Sequence, residues 1–151
     1  MVLYTASAVV SFYERLEEQV AKFYEELASN ERYSEGKGIF LALAKEDRRH
    51  MGLVLRAYRE IITDAFEAGF SFTGLRESDY RIDIELAEDL SFSDVLRRAL
   101  EIEEKIYRFC MDASEGSKGL LDGLSHAFER VAKRKADRKI RLKSLLEEVT
   151  T

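Results

Sequence analysis

Residues 40–50 read Phe40-Leu41-Ala42-Leu43-Ala44-Lys45-Glu46-Asp47-Arg48-Arg49-His50, and this stretch decides the fold. Its apolar residues return at helical spacing, from Phe40 to Ala44 and on to Met51, Val54, Leu55, Tyr58 and Ile62. The spacing predicts a helix over about 38–66. Near the centre of its apolar stripe stands an acid, Asp47, with His50 one turn further on at the stripe's edge. A carboxylate on a buried face costs several kcal/mol unless something pairs with it. Such a group is therefore expected to meet another inward-facing charge or a metal.

Three further segments carry the same period. The first covers about 7–29, with Val9, Phe12, Leu16, Val20, Phe23 and Leu27 on one stripe. The third covers about 93–114, with Val95, Ala99, Ile102, Ile106 and Cys110. The fourth covers about 120–149, with Leu124, Phe128, Val131, Leu142, Leu145 and Val149. Ser93 before Asp94 is the expected N-cap of the third helix. The chain has no proline to break long helices. Ser34-Glu35-Gly36-Lys37-Gly38 and Ser114-Glu115-Gly116-Ser117-Lys118-Gly119 are short Gly-containing turns, which join antiparallel neighbours. The stretch over about 67–92 is longer and irregular, as a crossover along a bundle would be. The expected fold is all-α: an antiparallel four-helix bundle of two hairpins joined by a long crossover, one domain over residues 1–151.

Each helix sends ionisable groups toward the core. Glu103 falls mid-stripe among Ala99, Ile102, Ile106 and Cys110, whereas Glu101 and Glu104 point away. Glu17 sits at the border of the first stripe, beside Tyr13, Val20 and Tyr24. Lys135 and Arg138 share the face of Phe128, Val131, Leu142 and Leu145. Acids are rarely placed mid-stripe without a partner. His126 and most other charges belong to solvated faces.

The formal net charge of −5 is spread along 151 residues, and the basic run from Lys133 to Arg141 is interrupted by Asp137, so nucleic-acid binding is not expected. One cysteine, Cys110, excludes a disulfide framework and any Cys-x-x-Cys metal or redox pair. No basic, apolar leader opens the sequence, and no run approaches the roughly 20 apolar residues of a membrane span. A cytoplasmic location without membrane contact is expected, and a homodimer is the default assembly.

With these residues in view the chain resembles the ferritin-like superfamily, specifically the rubrerythrin-type di-iron carboxylate proteins. In that architecture two helices each give a Glu, and the other two each give a Glu-x-x-His, all projecting into the bundle core. Glu17 with Tyr24 looks like the first ligand helix, and Asp47-x-x-His50 stands where Glu-x-x-His is usual. Ala99-Leu100-Glu101-Ile102-Glu103 looks like the third, with Cys110 where an aromatic often follows. On the fourth helix the pattern departs. Asp47 and His50 lie seven and ten residues after Phe40; the same intervals from Phe128 give Lys135 and Arg138.

The resemblance implies metal ligands at Glu17, Asp47, His50 and Glu103, while Lys135 and Arg138 are expected to form a core ion-pair network with those acids. Three carboxylates would face two fixed positive charges, and His50 could add a third. Two functional expectations follow. One is a metal-free, non-catalytic bundle that acts as a scaffold or partner-binding protein. The other is an oxidoreductase of peroxide or oxygen chemistry that holds one iron or manganese ion and draws on a separate electron donor.

Overall fold

Thr5 opens the first helix by accepting the Ala8 N–H on its hydroxyl at 3.0 Å. In the computed structural model, which describes residues 2–62, 75–119 and 121–151, four long helices follow. They are α1 (Ala6–Ser29), α2 (Lys37–Ile62), α3 (Phe92–Ser117) and α4 (Asp122–Thr150). Residues 63–66 of the expected second helix, the first part of the expected crossover with Gly69 and Gly74, and Leu120 lie outside the described residues.

The ends of the elements depart from expectation at three places. Ser91, not Ser93, caps α3. Its hydroxyl accepts the Asp94 N–H while the Asp94 carboxylate accepts the Ser91 N–H, both at 3.1 Å. Ser93 has no acid three residues on with which to make that reciprocal pair, so the box sets the start two residues earlier. The expected turn at Ser114 is still helix. Ser117 donates back to the Ala113 carbonyl at 2.7 Å, so α3 continues to Ser117. Between α1 and α2, Asn30 caps a 3-10 turn over Glu31–Gly36, and Lys37 and Gly38 already belong to α2.

Two positions in these turns favour glycine, one for space and one for backbone conformation. A Cβ on Gly36 would lie 2.8 Å from the Phe40 ring and 2.9 Å from Phe92. Gly119 has φ +87°, a left-handed conformation that L side chains rarely adopt.

α1 packs antiparallel on α2, and α3 antiparallel on α4; α2 with α4 and α1 with α3 join the two pairs. The described part of the crossover follows α1 from its start to its end. Leu3 N–H donates to the Leu75 carbonyl at 2.8 Å near one end. Arg15 pairs with Glu77 at 2.8 Å, Tyr80 donates to Asp112 at 2.5 Å, and Tyr33 donates to the Leu90 carbonyl at 2.7 Å near the other end. The expected order of hairpin, crossover and hairpin is the observed one. No helix among the described residues is long and apolar enough to cross a membrane.

The core is layered. Phe12, Tyr13, Tyr80, Phe109 and Phe128 form an aromatic cluster on one side of the bundle's middle. Phe23, Tyr24, Tyr33, Phe40 and Phe92 form a second on the other side. Between them lies a layer of charged side chains walled off from water. Val149, counted on the core stripe from its spacing, is 36% exposed. It is the penultimate residue of α4, and a helical stripe is covered only as far as its neighbours extend.

Candidate functional site

The middle layer draws on all four helices. Glu17 comes from α1, Asp47 from α2, Glu103 from α3, and Lys135 and Arg138 from α4; each is 0% exposed. His50, one turn after Asp47, is 6% exposed. The structure thus brings together all six residues singled out from the sequence. Glu17, read as a border residue, is wholly inside, because α2 and α4 close over the edge of its stripe.

Lys135 Nζ donates to Glu17 Oε1 at 2.7 Å and to Asp47 Oδ1 at 2.8 Å, and lies 3.8 Å from Glu103 Oε2. The Arg138 guanidinium spreads over four acceptors. Its Nη1 donates to Asp47 Oδ1 and, at 3.1 Å, to Glu103 Oε1. Its Nη2 donates to the Leu43 carbonyl at 2.9 Å, and its Nε to Glu46 Oε1 at 2.8 Å. The planar fork suits Arg to this bridging, where an ammonium would reach fewer acceptors.

Two tyrosines complete the layer. Tyr13 donates to Glu17 Oε2 at 2.5 Å, and Tyr24 crosses from α1 to donate to Glu103 Oε1 at 2.6 Å. Tyr24 stacks on Phe40, and Tyr13 meets Phe128 edge-on. The two phenylalanines from which the α2 and α4 intervals were counted therefore each support a tyrosine of the network. By the same register Cys110, seven residues after Glu103, corresponds to Tyr24, seven after Glu17. A thiol there is too short to serve as that donor, and Tyr13, one turn before Glu17, serves instead. Glu46 and the donor role of Tyr13 were missed from the sequence. A signal for Glu46 was present in its position four residues before His50.

Among the described residues, three buried side-chain polar atoms have no hydrogen-bond partner: Asp47 Oδ2, His50 Nδ1 and Glu103 Oε2. His50 Nδ1 stands 3.5 Å from Glu17 Oε2, and ligand atoms of Glu17, Asp47 and His50 all lie within 4.8 Å of one another.

Electrostatics divide the acids. Burial opposes the charge on Glu17, but Lys135 and His50 outweigh it and hold the carboxyl down at about 2. Burial pushes the Asp47 carboxyl up; Lys135 and Arg138 pull back, Glu17 and Glu103 repel, and the outcome is about 7. Burial lowers His50. For Lys135 and Arg138 burial disfavours the charge, yet the surrounding acids raise both above their ordinary values. Burial raises Cys110 well above an ordinary thiol, with Glu17 adding to the effect, so it is an inert core residue.

These directions give opposing pH dependences. Between its ordinary 3.8 and about 7, folded Asp47 keeps a proton that the unfolded chain has lost. Its contribution to stability therefore falls as pH rises through that window. Glu17 contributes stability above its ordinary 4.5 that is lost as pH falls toward about 2. His50, held neutral, adds stability as pH rises toward its ordinary 6.5 and so opposes Asp47. Asp47→Asn removes the Asp47 contribution alone. In urea melts across about pH 4 to 7, the variant is expected to show a more positive slope of stability against pH than the parent chain. Equal slopes would mean that Asp47 stays ionised throughout, next to Lys135 and Arg138.

The family model described as rubrerythrin matches residues 14–119. The chain belongs to the rubrerythrin family. Neither a curated protein nor a solved structure gives a match. The part of this rubrerythrin-family chain that matches holds Glu17, Asp47, His50 and Glu103, and it ends before α4, the helix of Lys135 and Arg138.

Proposed function

We propose that this member of the rubrerythrin family works without a resident metal, as a non-catalytic scaffold or partner-binding bundle whose middle layer is an ion-pair network in place of a di-metal centre. The observation that carries the reading is Lys135 Nζ, 2.7 Å from Glu17 and 2.8 Å from Asp47. Two carboxylates that a metal ion would need share an ammonium instead. The donor set does not fit a pair of metals. Three core acids and one histidine stand where the architecture uses four acids and two histidines. The remaining two positions carry cations that cannot ligate while charged. Buried ionic groups that meet in only one alignment are an attested means of fixing helix register, and that is the role assigned to this layer.

A second reading has its own observation. Asp47 Oδ2, His50 Nδ1 and Glu103 Oε2 are buried without a hydrogen bond, and each such atom costs about 1–3 kcal/mol. A single iron or manganese ion held by Glu17, Asp47 and His50, with Glu103 alongside, would use them. The chain would then be an oxidoreductase supplied with electrons by a separate protein.

Elemental analysis of the purified protein, before and after incubation with ferrous iron and with manganese, separates the two. Near-zero metal under every condition is expected. About one ion per chain, lost in Glu17→Ala or His50→Ala, would replace the first reading by the second.

A further inference from the structure

Outside the buried layer, a surface cavity of about 260 Å³ opens between α2 and α4. Its lining is Glu46, Arg49, His50, Leu53, Arg130, Val131 and Arg134. Three arginines around one cavity are out of keeping with a chain whose formal charge is −5. They are also uncommitted. Arg15, Arg48, Arg97 and Arg98 each pair with an acid, whereas Arg49, Arg130 and Arg134 make no ion pair with a described residue. The one acid in the lining, Glu46, is already held by Arg138 Nε at 2.8 Å. The cavity therefore keeps an excess of positive charge.

We infer that this cavity is a binding site for a small phosphate-class oxyanion, either the free ion or the phosphate of a small monoester. Guanidinium groups match phosphate oxygens in planar, paired hydrogen bonds, and a multiply charged anion answers three cations better than a single carboxylate does. Arg130 and Arg134 lie one turn apart on α4, and Arg49 faces them from α2, so the ligand is gripped from two helices. Leu53, half-buried in the lining, gives the cavity an apolar side suited to a carbon skeleton attached to the phosphate. His50, 6% exposed, lies beneath: its Nδ1 faces Glu17 at 3.5 Å, and its Nε2 is 3.7 Å from Glu46. The site thus adjoins the buried layer through His50 and through Glu46, which Arg138 holds, and its arginines do not depend on whether a metal occupies that layer.

The test is calorimetric titration of the intact protein, kept in chelator and at fixed ionic strength, with inorganic phosphate and separately with phenyl phosphate. Saturable binding of one equivalent is expected for at least one probe. Tighter binding of phenyl phosphate would identify a monoester as the ligand, and equal binding the free ion. Arg130→Ala/Arg134→Ala should weaken binding about tenfold or more, because both charge-assisted contacts are removed. Lys143→Ala, an exposed α4 residue outside the cavity, should leave it unchanged. Both arginines are exposed, so unfolding curves should coincide with those of the parent chain. Heat no greater than that of matched chloride, or binding that survives in the double variant, would overturn the assignment.

Discussion

Lys135→Met is expected to lower the unfolding free energy by about 3–5 kcal/mol near neutral pH, the range for removing one partner from a buried ion pair. Methionine keeps most of the lysine stem, so the loss reflects charge and not a large cavity. What remains would be Glu17, Asp47 and Glu103 around Arg138 alone, with Glu17 and Asp47 each losing a hydrogen bond of under 3 Å. The deficit should shrink as pH is lowered, because protonating the stranded carboxylates removes the uncompensated charge. Urea melts at several pH values provide the measurement. A loss below about 1 kcal/mol, typical of a solvated surface pair, would show that Lys135 is not committed to this layer.

The second large effect concerns metal. Lys135→Glu/Arg138→His would restore on α4 the Glu-x-x-His pattern of the architecture, in the register counted from Phe128. Four carboxylates and two histidines would then converge with no fixed cation among them. Metal-free, the double variant is expected to be strongly destabilised by like-charge repulsion. With ferrous iron or manganese it should bind about two ions per chain, and its melting temperature should depend on metal concentration. The parent chain should show no such dependence. A double variant that folds equally well with and without metal, and binds none, would mean that the α2 and α4 registers are not equivalent.

Much of the site was legible because it violates helix patterning. Asp47 and Glu103 stand mid-stripe, Lys135 and Arg138 interrupt an apolar face, and all four side chains are fully buried. The equal intervals from Phe40 and from Phe128 located the two cations, and the structure sets each phenylalanine against a network tyrosine. Element ends were less legible. Ser91 and Ser93 both precede Asp94 closely, and only the reciprocal bonds decide which one caps. Val149 kept the stripe's period but had no neighbour left to cover it.

The sequence by itself determined the four long helices, their apolar faces, the hairpin–crossover–hairpin order and most of the charged residues turned inward, Glu46 excepted. These depend on periods of a few residues, which are local properties of the chain. Only the tertiary structure decided which acid meets which base, since that depends on the rotation and axial offset of packed helices. Lys135 and Glu17 are 118 residues apart in sequence yet share a 2.7 Å hydrogen bond. Arg138 could not be assigned its reach to Glu46 and the Leu43 carbonyl, nor Tyr24 its crossing to Glu103, from either helix alone. The arginine-lined cavity has the same origin: Arg49 lies on one helix and Arg130 and Arg134 on another, and only their packing makes a single positive site.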